Sequence, residues 1–206
     1  MIRTDRDGAR LTLTLDRPDK ANALTGEMLE QLAQAVEDTD ARVLVITGTG
    51  RVFSAGADLE AARAGLATSP LWERLSGAIA RFGGLSIAAL NGTAAGGALG
   101  MVLACDLRVA VPGARIFYPV MKLGFLPQPS DPARLVALVG LARAKLVLMA
   151  GLKVPVEEAQ GWGLIDRVVE PDGLAAELDA LAADVDGAEA AHVAAIKGLI
   201  SGEMVG

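Results

Sequence analysis

The apolar positions come in short blocks whose spacing alternates between strand and helix. Leu11–Leu15 alternates leucine with threonine and predicts a strand with one buried face, and Asp16–Lys20 follows as a turn. Met28, Leu29, Leu32, Ala35 and Val36 recur at helical spacing, so Thr25–Asp38 is predicted as an amphipathic helix with Thr25 as its N-cap. Arg42–Thr47 is a continuous apolar run of the kind buried on both faces of a parallel sheet. A helix is predicted from Pro70 through Leu71, Leu75 and Ile79 to Phe82, where Gly83-Gly84 stops it. Ser86–Leu90 reads as a buried strand, Asn91–Ala95 as a loop, Gly96–Cys105 as a helix, and Asp106–Val111 and Ile116–Val120 as strands. After the proline-rich loop Leu126–Pro132 come two helices, one through Leu135, Leu138 and Val139 and one over Ala142–Ala150. A short helix over Pro155–Gly161, a strand over Leu164–Val169 and alanine-rich helices over Asp172–Val185 and Ala188–Ile200 complete the chain. Short strands alternating with helices indicate an α/β architecture with parallel pairing.

Two stretches interrupt this pattern with small residues. Val52–Leu59 follows the Arg42–Thr47 run and ends at Asp58, an acidic residue placed to begin a helix. Asn91–Asp106 is the second stretch. Small side chains let the main chain approach a ligand, and N–H groups entering a helix have no partner within it. Such N–H groups are donors for a developing negative charge, and Ala57 is the candidate in the first stretch.

Composition narrows the function classes. The 206 residues suffice for one domain with a sizeable core. With 52% apolar and 3% aromatic residues, that core must be built mainly of Ala, Leu and Val. The net charge of −6 and the lack of a Lys/Arg stripe argue against nucleic acid as a partner. The single Cys105 rules out an internal disulfide and sits in an apolar run, which favours packing over nucleophilic chemistry. The single His192 has no second histidine with which to share a metal. The charged N-terminus lacks a signal-peptide apolar core, so the expectation is a cytoplasmic protein. Gly83–Cys105 carries no charge and is long enough to span a bilayer, but Asn91 and its glycines break the run, and a membrane span is the outlying alternative.

With these segments placed, the chain resembles the crotonase, or enoyl-CoA hydratase/isomerase, superfamily. The resemblance rests on ordered motifs: Leu15–Leu24, Phe53–Leu59, Asn91–Gly97, Ala104–Leu107 and Ala159–Ile165. It implies an α/β spiral of ββα units over residues 1–170, with a short C-terminal helical segment over 171–206. It also implies binding of an acyl-CoA thioester whose carbonyl oxygen is held by the N–H groups of Ala57 and Gly97, an oxyanion hole. The coenzyme A pocket carries over onto Lys20, Ala21, Ala23, Ala55, Asp58 and Leu59. Coenzyme A enters only as part of the substrate, and no metal or redox cofactor is implied. Family members assemble as trimers or hexamers, so a homo-oligomer is expected. They also commonly continue into a longer helical region than the one ending at Gly206.

The chain departs from the family where acid–base chemistry is expected. The positions matching the two hydratase glutamates are Gly100 and Val120, and a third acid–base position is Gln128. None transfers protons. Tyr118, Asp131, Glu60 and Arg63 are the replacements available in flanking loops. Tyr118 has the alternative of packing in a strand, and Asp131, before Pro132 and an apolar helix, is favoured as a helix cap. Three readings follow: an enzyme of fatty acid metabolism with a relocated acid–base group, a decarboxylase needing little proton transfer, or a non-catalytic acyl-CoA-binding or assembly protein.

Overall fold

A computed structural model describes residues 1–202. Its chain winds so that successive turns place one strand in each of two sheets. Strands β1 (Ile2–Asp7), β2 (Arg10–Leu15), β3 (Val43–Gly48), β5 (Leu85–Leu90), β7 (Leu107–Ala110) and β10 (Arg167–Val168) form a 6-stranded sheet in the order β1-β2-β3-β5-β7-β10. Strands β4 (Val52–Ser54), β6 (Thr93–Ala95), β8 (Arg115–Phe117) and β9 (Val154–Pro155) form a 4-stranded sheet in that order. Each of the pairs β3/β4, β5/β6 and β7/β8 thus contributes to both sheets, which is the expected ββα spiral. The large sheet is parallel apart from the β1–β2 pair.

Helices cover both faces of the large sheet, which explains the continuous apolar runs of β3 and β5. On one side α1 (Gly26–Glu37) packs on α3 (Leu71–Arg81), and α3 packs on α4 (Leu99–Ala104). Leu29, Leu32, Leu75, Ile79 and Val102 from this layer meet Leu44, Ile46, Ala88 and Leu90 of the sheet in one core. On the other side α8 (Leu174–Asp186) presses Ala182 against Val43, Val45 and Ala89. Helix α9 (Ala190–Ser201) is tied on by Lys197, whose Nζ donates to Gly84 O at 3.0 Å and to Asp106 Oδ2 at 2.7 Å.

Local signals set several boundaries. Thr25 caps α1 by accepting from Met28 N. Asp58 caps α2 (Leu59–Arg63), accepting from Glu60 N and Ala61 N. The two helices expected after the proline-rich loop are the arms of α6 (Asp131–Leu148), divided at Gly140, which sits at φ 79° and ψ 166°.

The structure corrects the sequence reading at several elements. Ile2–Asp7 is an edge strand, not only a charged N-terminus; its side chains are mostly exposed, so it carries no apolar alternation. Asn91–Ala95 is not a loop throughout, because Thr93–Ala95 pairs with both β4 and β8. Ile116–Val120 is a strand only to Phe117, and Val120 begins the short α5 (Val120–Leu123). The uncharged stretch Gly83–Cys105 is divided among β5, β6 and α4, and no described helix is long and apolar enough to cross a membrane.

Arg108 pins the end of the spiral. Its side chain is 3% exposed and donates to Leu164 O, Cys105 O and Asp106 O, and it pairs with Asp166 at 3.3 Å. Arg108→Met keeps most of the bulk but leaves buried acceptors without a donor. The expected loss is about 3 kcal/mol of unfolding free energy, measured by urea denaturation. Arg108→Lys should recover only part of it, because one ammonium cannot reach the acceptors that the planar guanidinium serves.

Candidate active site

The two small-residue stretches meet main chain to main chain. Gly56 has φ 90° and Gly96 has φ 59°, a region that favours glycine. A Cβ added to Gly56 would lie 2.8 Å from Ala95 O, 3.3 Å from Gly96 Cα and 3.4 Å from Gly97 N. Only an unsubstituted Cα fits between these turns. Ala57 and Gly97 are thereby brought to the wall of one cavity of about 320 Å³, which Ala55, Leu59, Trp72 and Tyr118 also line. Among the backbone hydrogen bonds of the described turns and loops, neither Ala57 N nor Gly97 N is a donor. Gly97 lies in the 3-10 turn Gly96–Ala98 that precedes α4, rather than at the start of a long helix.

The first stretch is held from behind by Ala21–Leu24. Ala55 N donates to Ala21 O at 2.9 Å, Leu24 N to Gly56 O at 2.7 Å, and Asp58 N to Leu24 O at 2.8 Å. Asn22 is the fastener. It is fully buried at φ 53°, its Nδ2 donates to Thr49 O and Val52 O, and its Oδ1 accepts from Arg17 N. Ser54 Oγ donates to the Asn22 carbonyl and accepts from Gly56 N. On the other side Trp72 donates from Nε1 to Leu66 O at 2.7 Å, and its ring stands 3.0 Å from where a Cβ of Gly97 would lie. Asn22 and Trp72 position both turns, and the sequence alone marks neither for that role. The helical spacing of Trp72 with Leu75 and Ile79 marks it only as core, and Asn22 stands inside a motif without a signal of its own.

The residues expected to contact coenzyme A are distributed along this frame. Ala55 and Leu59 line the cavity, and Leu59 is 75% exposed. Ala21 and Ala23 lie on the segment paired to the Gly56 turn, and Lys20 is exposed at its start. The Asp58 carboxylate is occupied: Oδ2 accepts from Arg17 Nη1 at 2.8 Å, and Oδ1 accepts the two N–H groups of α2. The Arg17 hydrogen bond, with those amides, holds its carboxyl below the usual aspartate value. Of the other loop candidates, Arg63 lines the cavity and Glu60 is exposed on α2.

Asp131 does not cap the helix that it begins. Ser130 occupies the cap position and makes no side-chain cap bond; its N–H and hydroxyl donate to Glu73 instead. The Asp131 side chain turns inward, fully buried, and its Oδ2 accepts from the Tyr118 hydroxyl at 2.9 Å. The Tyr118 hydroxyl oxygen accepts in turn from Gln128 N at 3.3 Å. Among the described residues Asp131 Oδ1 has no hydrogen-bond partner, and it lies 3.2 Å from where a Cβ of Gly100 would be. Gly100→Ala would therefore push on this carboxylate. Burial pushes the Asp131 carboxyl up to about 6 against the opposing pull of the Tyr118 hydroxyl, and burial also raises the Tyr118 hydroxyl. Cys105 is buried and its thiol is pushed up to about 12 by desolvation, in keeping with a packing role.

The profile of the Enoyl-CoA hydratase/isomerase family matches residues 6–203. The chain belongs to the enoyl-CoA hydratase/isomerase family. It is 39% identical over 173 residues to the 2,3-dehydroadipyl-CoA hydratase of Escherichia coli (strain K12), covering 79% of this chain and 66% of that protein. It is 38% identical over 180 residues to the mevalonyl-coenzyme A hydratase SIDH of Beauveria bassiana (strain ARSEF 2860), covering 79% of this chain and 64% of that one. The chain thus spans about two thirds of the length of these two relatives. Its backbone superposes on the crystal structure of an enoyl-CoA hydratase/isomerase from Pseudoalteromonas atlantica T6c with a TM-score of 0.89 at 32% identity, covering 98% of this chain and 82% of that one. The crotonase-type α/β fold inferred from the motifs is therefore the fold of this family member.

The Asp131 site makes a stability prediction. Its carboxyl titrates higher in the folded chain, at about 6, than at its ordinary value of 3.8. The folded state therefore holds the proton more tightly, and the resulting stabilisation is complete below the ordinary value and lost as pH rises through about 6. Asp131→Asn removes this dependence. Relative to the parent chain, the variant should gain stability between about pH 4 and pH 7, read from urea midpoints across that range.

Proposed function

We propose that this family member binds an acyl-CoA thioester and stabilises its enolate between the N–H groups of Ala57 and Gly97. The observation carrying this reading is the Gly56–Gly96 contact, which brings both residues to one small apolar-walled cavity. Forming an anion next to a thioester moves negative charge onto the carbonyl oxygen. Two preorganised amides oppose that charge without reorganising, and one such donor contributes about 3–4 kcal/mol of barrier lowering. The walls fit an acyl thioester: Ala55, Ala57, Gly96 and Gly97 leave the main chain accessible, while Trp72 and Val120 present apolar surface. Lys20, Ala21, Ala23, Ala55, Asp58 and Leu59 are the proposed coenzyme A contacts, with Asp58 acting through its backbone because its carboxylate is already taken.

Simple enoyl-CoA hydration through a glutamate pair is not the reaction favoured here, since Gly100 and Val120 stand at the matching positions. A non-catalytic acyl-CoA-binding protein is the competing reading. Association of copies of the chain fits the apolar side chains left uncovered on α6 and α9, among them Leu141, Leu199 and Ile200.

Titration with butyryl-CoA by calorimetry, followed by assays with crotonyl- and malonyl-CoA, separates the readings. Binding with turnover of either ester is expected. Gly97→Pro deletes one donor and should lower turnover by about 10²–10³-fold. Its ring also presses on Trp72, so a lower melting temperature is expected beside the loss, and turnover is compared at a temperature where the variant is folded. Binding without turnover of any ester would favour the non-catalytic reading, and unchanged turnover in Gly97→Pro would contradict the oxyanion assignment.

A further inference from the structure

We infer that Tyr118 and Asp131 form one proton-transfer unit, in which the Tyr118 oxygen meets the α-carbon of the bound thioester and Asp131 accepts or returns the proton behind it. The inference rests on the thioester-binding reading above and supplies the acid–base group that Gly100, Val120 and Gln128 do not.

Three observations carry it. First, Tyr118 lines the same cavity as Ala57 and Gly97, although its residue is only 3% exposed. Second, its hydroxyl is oriented by two bonds of opposite sense: it donates to Asp131 Oδ2 at 2.9 Å and accepts from Gln128 N at 3.3 Å. A phenol oxygen has two lone pairs, so one stays free to accept a further proton. Third, Asp131 is fully buried with one oxygen unpartnered, a costly arrangement for a group whose only task is structural. A helix cap in the same place would face outward.

The charged and titratable surroundings are few. Arg134 Nη1 of α6 stands 3.9 Å from Oδ1, too far to hydrogen-bond it. Glu73 of α3 adds a like charge but is itself engaged by Ser130. Helix α4 presents the neutral Gly100. No partner neutralises Asp131 fully, so it can change protonation state in mid-range pH.

The step balances. The α-carbon C–H bond breaks and its electron pair enters the enolate, whose oxygen lies between Ala57 N and Gly97 N. The proton passes to the Tyr118 oxygen as the Tyr118 O–H proton moves to Asp131 Oδ2. Asp131 ends neutral and the enolate ends with the negative charge. The reverse sequence delivers a proton to an enolate carbon, whether that enolate arose by proton loss, by addition to an enoyl thioester or by loss of carbon dioxide. In this scheme Tyr118 is the catalytic residue and Asp131 is the positioning residue that acts through it.

The test is exchange of the α-protons of butyryl-CoA in D₂O, followed by NMR, beside its dissociation constant from calorimetry. The parent chain should bind and exchange, with a rate that falls as pH drops through about 6, since the ionised Asp131 is the acceptor. Tyr118→Phe should leave binding within about threefold and slow exchange by about 10²-fold or more. Asp131→Asn should slow it similarly and abolish the acid limb, which a purely structural role would not move. Exchange within about threefold of the parent in Tyr118→Phe, or an unchanged acid limb in Asp131→Asn, would overturn the inference. Binding without exchange in the parent chain would also overturn it and leave thioester binding standing, whereas failure to bind butyryl-CoA would sink the functional reading itself. The parent pH profile needs no variant and guards against a folding defect.

Discussion

The candidate site depends on the backbone contact between the Gly56 turn and the Ala95–Gly97 turn. A single methyl at Gly56 would stand 2.8 Å from a carbonyl oxygen, nearer than real Cβ atoms approach. The spiral makes the contact possible, because β4 and β6 are adjacent parallel strands whose C-terminal ends leave the small sheet side by side. Both donor candidates lie at those ends. The layers of helix and sheet on either side keep the two exits in register, and loosening any of them would separate N–H groups that no local interaction joins.

The frame around that contact is polar where it must be exact and apolar elsewhere. Asn22 spends every side-chain hydrogen bond it makes on main-chain groups of Arg17, Thr49 and Val52, so the turn preceding β4 has little freedom. Trp72 closes the opposite side with a ring that a side chain at residue 97 would press against. For the oxyanion role proposed above, such a frame matters because amides held in place need not turn as charge develops. Asp131 is the other polar group placed at a cost. Gly100 leaves room for its oxygen, Tyr118 accepts the task of pairing it, and together they put a carboxylate behind the cavity wall rather than in it.

Much of the architecture was legible because its signals are local. The Thr25 cap, the Asp58 cap and the break at Gly140 each express a preference of a few neighbouring residues, and all appear where periodicity and capping rules place them. The five motifs were enough for the family, since all of them in this order are specific where any one is weak. Strands β1 and β6 were missed for the opposite reason. Their sequences are polar or small, and they become strands only through partners remote in the chain. Asp131 shows how a sound local rule fails: Asp before Pro at a helix start reads as a cap, yet a buried tyrosine from another segment captures the side chain.

The sequence by itself determined the alternation of strands and helices, the family and the absence of acid–base side chains at Gly100, Val120 and Gln128. Hydrophobic spacing and backbone preferences act over a few residues and need no knowledge of the rest. Only the tertiary structure decided that Ala57, Gly97 and Tyr118 share one cavity and that Asp131 stands behind Tyr118. Those neighbours are far apart in the chain, and their meeting depends on strand register and helix packing summed over the whole core, which no short window of residues encodes.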